Sequence, residues 1–295
     1  MTMQKAALLA AAISGLLVGV ATVATGAIAT EIGPVTIAFV RYLIGVLILL
    51  PFALRIRWNP VPRHDLIKIG LFGVFQFALL IVLLNFAVIH ITAGLAVLIF
   101  ASLPLQTMAL AILLRRESFT LRKLSGILLT IIGVGFTVGA TAFAGKLDTA
   151  GWIGVGAAFL SAFLGALCSV LYGASLARYP ALQIGTLSMA SAVIFLFGLA
   201  LLEGQITAFM SFSGTAWLIL LLIGGASALG YFCWLFALSR IPASNVTVFL
   251  GLSPVTAAIL AALFIAQPLS IRDIIGTCLV LCGLVLSLWH KREAR

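Results

Sequence analysis

The chain has 295 residues, 63% of them hydrophobic and 8% charged, and a formal net charge of +10. A water-soluble domain is about 45–50% apolar and about 25% charged, so this composition excludes a soluble fold and makes lipid the solvent. The basic excess is spread over many short polar segments rather than gathered in one patch, which excludes nucleic acid as a partner.

A helix needs about 20 apolar residues to cross a bilayer. Cutting the chain where charges, prolines and Gly/Asn clusters collect leaves ten such stretches. They lie at about 6–25, 35–54, 67–86, 92–114, 121–139, 152–174, 183–203, 215–237, 244–264 and 272–290. The expected fold is therefore all-α and integral to the membrane, with no room for a soluble catalytic domain.

The first stretch follows Lys5 and ends near the small triplet Ala27-Ile28-Ala29, as a cleavable signal does. An internal repeat, described below, gives it a partner and predicts a retained helix. It carries Ser14, Val18 and Thr22 as cavity candidates, and Gly15 and Gly19 as a packing pair. Arg41, near the start of the second stretch, has two readings: an anion-binding or half-to-half contact, or a long stem snorkelling to the interface. In the third, Gln76 stands near mid-depth, where its amide could hold an amino or carboxyl group or make an interhelical bond; Leu80 is a further candidate.

The fourth and ninth stretches carry prolines at equivalent mid-helix places. Each proline removes an amide donor, frees a carbonyl one turn back and bends its helix. The helical stripes through them read Ala93, Val97, Phe100, Pro104, Thr107, Ala111 and Ala243, Thr247, Leu250, Pro254, Ala257, Ala261. These are cavity walls or close packing faces, and Phe100, Pro104, Thr107, Thr247, Leu250 and Pro254 are the candidates taken from them. Gly135 and Gly139 in the fifth stretch form a second packing pair. The sixth contributes Ser161 and Gly165, and the eighth contributes Tyr231 and Trp234. Trp58, Trp152, Trp217 and Trp289 fall at boundaries as an aromatic belt, and His64, His90 and His290 sit near span ends. Cys168, Cys233, Cys278 and Cys282 show no zinc spacing, so neither a metal, a cofactor nor a disulfide is expected, and Cys278 and Cys282 should pack as small apolar groups.

Two offsets reveal the repeat. At 150, Phe86-Ala87 falls on Phe236-Ala237, Pro104 on Pro254, Arg122 on Arg272, Gly126 on Gly276, Gly133 on Gly283, and Glu117 faces Gln267. At 146, Gly19 falls on Gly165 and Pro34 on Pro180. The chain thus divides into residues 1–145 and 146–295, each of five spans. Five is odd, so the second copy must enter the membrane upside down. With the N-terminus inside, fourteen of the 17 Lys and Arg lie on the cytoplasmic side, which predicts that both termini are cytoplasmic.

The ten-span layout, the 5+5 repeat, Phe39-Val40-Arg41-Tyr42, the Asn85–Thr92 turn and the Ser102-Leu103-Pro104 and Leu252-Ser253-Pro254 positions resemble the drug/metabolite transporter superfamily. Within it, the chain is similar to EamA-type exporters. The resemblance implies a secondary transporter of an inner membrane, working by alternating access through a cavity between the halves. It also implies a small polar substrate, with amino acids, aromatic ones included, preferred over other neutral metabolites or drugs. A lipid bilayer and a small molecule are the expected partners, and a monomer or weak homodimer the expected state. The superfamily's small multidrug members use a membrane carboxylate in their first span, and none stands there, which disfavours cationic-drug/proton exchange. A channel would repeat a filter by oligomerising rather than by inverted duplication. An enzyme would need a Ser/His pair or paired aspartates within the spans, and the pattern offers neither.

Overall fold

A computed structural model describes residues 2–29, 31–139, 148–204, 212–264 and 271–288. Lys146, Gln267, Trp289, His290 and the basic tail Lys291, Arg292 and Arg295 fall outside them. Ten helices are long and apolar enough to cross a membrane: Met3–Ile28, Pro34–Ala53, Arg63–His90, Ala93–Leu113, Leu121–Val138, Thr149–Leu176, Ala181–Glu203, Gly214–Leu238, Ala243–Leu260 and Ile271–Leu288. They are called spans 1 to 10. Their ends follow local rules. Proline occupies the first turn of span 2, and Thr92, Asp148 and Ser213 cap spans 4, 6 and 8 by accepting from Leu95, Gly151 and Ala216 amides. Large apolar side chains face outward: Leu113 is 76% exposed, Ile194 75% and Leu202 84%. Such a surface is stable only against lipid, and the molecule is a multi-pass membrane protein.

The packing has a two-fold pattern. Span 1 packs on spans 8 and 9, and its repeat-mate, span 6, packs on spans 3 and 4. Span 2 meets span 7, while spans 3 and 8 meet spans 7 and 2. Spans 5 and 10 pack on each other. Their register proves the inversion. A Cβ on Gly126 would lie 2.6 Å from the Gly283 carbonyl oxygen, and one on Gly133 2.8 Å from that of Gly276. The later glycine in one helix meets the earlier one in the other, so the helices are antiparallel. They are also repeat-equivalent, so the axis relating the halves lies in the membrane plane.

Glycines therefore set the helix spacing. Cβ atoms on Gly15 and Gly19 would fall 2.2 and 2.5 Å from the Phe249 and Ser253 carbonyl oxygens, which confirms that pair as a packing face. The Gly135 and Gly139 pair is not one. Among the described residues only Leu98 approaches Gly135, at 3.6 Å, and Gly139 ends the span with φ +65°. The close approach that its spacing suggested belongs to Gly126 and Gly133. Cys278 and Cys282 also depart from expectation: both are free and exposed on the outer surface of span 10, while Cys168 and Cys233 are buried.

Three spans are irregular. Span 4 breaks at Ala101-Ser102, just before Pro104, and span 9 tightens into a 3₁₀ turn at Val248–Gly251, just before Pro254. These are equivalent places, as the paired prolines predict. Span 3 widens into a π-helix at Val74–Leu79, around Gln76, which the sequence pattern did not signal.

Candidate functional site

The irregular segments surround a cavity of about 610 Å³ between the halves. That volume lies within the range of small-molecule sites, about 300–1,000 Å³. Of the candidate residues, Ser14, Val18, Thr22, Gln76, Leu80, Phe100, Pro104, Gly165, Tyr231, Trp234, Leu250 and Pro254 line it. The lining reaches one membrane face through Val23, Val138, Ala258 and Asp273, near the ends of spans 1, 5 and 9 and the start of span 10.

Thr107, Ser161 and Thr247 do not line it. All three are fully buried. Thr107 and Thr247 donate to the Leu103 and Ser244 carbonyls, and Ser161 donates to that of Leu80 at 2.8 Å. Thr107 lies beyond Pro104 and Thr247 before Leu250, both on the closed-end side of the lining, so the threonines fall below the cavity floor, where the helices close.

Several lining residues stand outside the candidate set, Ser169 and Ser227 among them although both are polar groups within spans. Tyr42, Phe77, Thr130, Thr137, Ser169 and Ser227 all face the cavity. Ser227 stands four residues before Tyr231, one helical turn away, so extending the Tyr231 face would have found it. The rings form a ladder across the halves. Tyr42 and Phe77 have centroids 4.9 Å apart, and Phe77 and Tyr231 are 4.2 Å apart, both edge-on.

The polar groups of the site are incompletely satisfied. Gln76 Oε1 and Trp234 Nε1 are buried and, among the described residues, have no hydrogen-bond partner. Tyr172, whose ring centre is 6.4 Å from that of Tyr231, donates its own hydroxyl to Ser188 Oγ. An unsatisfied buried polar group costs about 1–3 kcal/mol. An acceptor and a donor left open on one apolar cavity are groups that a polar guest would satisfy.

Arg41 also lines this cavity. Its Nε donates to Ser227 Oγ on the other half, and the Ser227 hydroxyl in turn donates to the Ile223 carbonyl at 2.7 Å. Ser227 lies at the middle of span 8. The guanidinium therefore reaches inward, and the half-to-half reading holds over snorkelling. Among the described residues no carboxylate pairs with it. An arginine at the centre of a transmembrane helix costs on the order of 2.5–3.5 kcal/mol, which makes an unpaired one notable.

The opposite end is closed by polar ties between the halves. Glu117 accepts from the Ser244 amide at 3.1 Å, from the Ser244 hydroxyl and from Lys123 Nζ at 2.9 Å. Nearby, Arg178 Nη1 pairs with Asp65 at 2.8 Å, and Tyr179 donates to Asp65 at 2.6 Å. That bond to Asp65, together with burial, raises the Tyr179 phenol above its ordinary pKa. Gln183 and Asn59 exchange two further bonds. At the open end, Glu203 instead ties span 7 to span 2 through the Val35 and Thr36 amides.

The closed end yields a prediction. Glu117→Ala strips the Ser244 amide and hydroxyl of their acceptor, leaves Lys123 only its bond to Ser244 Oγ, and should favour opening there. A cysteine replacing buried Thr247, in a background lacking the native cysteines, should then react about tenfold faster with a water-soluble thiol reagent, the change that 1.4 kcal/mol produces. Unchanged labelling would mean that Glu117 does not hold the closure.

Comparison with known proteins gives the geometry a context. The profile of the EamA-like transporter family matches residues 5–139 and 152–289. A protein of Archaeoglobus fulgidus named an uncharacterized transporter is 26% identical over 86% of this chain and 88% of its own. A probable terminal-alkyne amino-acid exporter of Streptantibioticus cattleyicolor is 29% identical over 79% and 78%. A probable amino-acid metabolite efflux pump of Salmonella typhimurium is 29% identical over 89% and 88%. One solved crystal structure superposes with a TM-score of 0.79 over 96% of both chains at 18% identity, a likeness of fold alone.

Proposed function

Since this chain belongs to the EamA-like transporter family, we propose that it exports small polar metabolites, amino acids before all, across an inner membrane by alternating access. The observation that carries this reading is the cavity between inverted halves, where Gln76 Oε1 and Trp234 Nε1 are buried beside an aromatic wall with no partner among the described residues. An α-amino acid supplies both charged partners and an apolar side chain. The names of the relatives in Streptantibioticus and Salmonella support the class. With both termini cytoplasmic, as the charge distribution suggests, the cavity faces outward and the Glu117 ties close the cytoplasmic end.

The test is counterflow. Purified protein is placed in liposomes loaded with one unlabelled amino acid, and uptake of labelled amino acids is followed without an ion gradient. Transient accumulation that requires the trapped substrate is expected, strongest for apolar and aromatic side chains. No accumulation with any amino acid would sink the substrate assignment and favour other neutral metabolites or drugs.

A further inference from the structure

Arg41 is a fixed cation. Its Nε is held by Ser227 Oγ, and its guanidinium carbon lies 5.2 Å from the centre of the Tyr42 ring. Those are its only contacts of this kind among the described residues, so both Nη groups remain without a partner. Two Nη groups in one plane present parallel N–H donors that match the two oxygens of a carboxylate. Lysine would offer a point charge with no such fork.

Depth orders the rest of the site. Ser227, Tyr231 and Trp234 follow one another on one face of span 8, so the two aromatic residues lie about 6 and about 10 Å deeper than the serine that holds Arg41. Phe77 packs edge-on against Tyr231, and Gln76 precedes it in the π-helical segment, its buried carbonyl oxygen unpaired. A cation at mid-depth and, deeper, an open acceptor standing beside the rings divide the site into a charged level and an apolar level. A guest with a carboxylate at one end and an apolar body at the other fits it in one orientation.

We propose that Arg41 is the carboxylate receptor of the cavity and selects substrates bearing a free carboxylate, with the apolar side chain directed to Phe77, Tyr231 and Trp234 and the ammonium to Gln76 Oε1. This rests on the reading of the cavity as a transport site and names the group that its substrate must carry. Arg41 and Gln76 belong to the first half, Tyr231 and Trp234 to the second. The bound acid bridges the halves, as a substrate that biases their rearrangement must. Ser227 acts as a positioning residue that keeps the guanidinium from leaving toward the interface.

The experiment compares four probes as exchange substrates of the full-length protein in liposomes: L-phenylalanine, its neutral amide, phenethylamine and 3-phenylpropionate. For the wild type, the amide and the amine should exchange at least about tenfold less well than phenylalanine, and 3-phenylpropionate should retain part of the exchange. Arg41→Gln should reduce phenylalanine to the level of its amide without further reducing the amide. Arg41→Lys should lower exchange while preserving the preference for the acid, and Ser227→Ala should raise KM more than it lowers the maximal rate. Equal exchange of acid and amide by the wild type, a result that needs no variant, overturns the role of Arg41 and leaves the transport reading intact. Equal loss of acid and amide in Arg41→Gln also overturns it. Exchange of 3-phenylpropionate without any amino acid would remove the amino-acid assignment and uphold Arg41. No exchange of any acid would overturn both.

Discussion

Gly73→Val is expected to abolish the native fold. Gly73 sits in span 3 where that helix crosses span 7, and a Cβ there would lie 2.0 Å from the Ser188 carbonyl oxygen and 2.7 Å from its Cα. These are backbone atoms, which no rotamer change removes. Spans 3 and 7 would have to separate, and with them the Tyr172–Ser188 bond and the start of the π-helical segment. Overpacking typically costs about 1–3 kcal/mol, and a backbone clash of this depth exceeds that range. No monodisperse peak should survive detergent size exclusion. Gly156→Ala is the matched control: among the described residues nothing lies within 4 Å of the added Cβ, the site faces outward, and removing a helical glycine should be neutral or stabilising by about 0.5–1 kcal/mol. A folded Gly73→Val protein would mean that spans 3 and 7 do not meet at this point.

Gln76→Leu should do the opposite: keep the fold and lose the function. The Gln76 side chain lines the cavity, and its buried Oε1 meets no donor among the described residues. Removing that atom relieves an unsatisfied group, so the melting temperature should stay level or rise. Amino-acid exchange should fall at least about tenfold, because the ammonium then enters a wholly apolar wall. Groups retained at a cost to stability are commonly those that function requires. Unchanged exchange would remove Gln76 from the site, and a lowered melting temperature would show that it bonds within the protein instead.

Much of this architecture was legible because lipid imposes a strong pattern. Ten apolar stretches, cut by charge, correspond to ten spans, and paired Pro104 and Pro254 marked the two equivalent helix breaks. The repeat matches Gly126–Gly276 and Gly133–Gly283 were legible as symmetry but not as contacts. In three dimensions each glycine meets the other's mate, because antiparallel packing crosses the pairs. What escaped had a physical reason. Periodicity identifies a helix face but not how far a cavity runs along it, so it carries Thr107 and Thr247 onto a wall that ends above them. The π-helix at Gln76 adds residues to a turn without changing composition. The fate of Arg41 depended on Ser227, 186 residues away, and no local pattern records such a partner.

The measurement closest to the central claim is exchange with the closed end locked. Cysteines replace Glu117 and Ser244, which touch across the halves, in a background lacking the four native cysteines, and a short bifunctional thiol reagent with a reducible bond joins them. Transport by alternating access requires this end to open once in every cycle. The locked protein should still bind substrate from the open face, exchange none of it, and recover exchange on reduction. Undiminished exchange through the locked protein would contradict the account, since the substrate would then pass without the halves changing places.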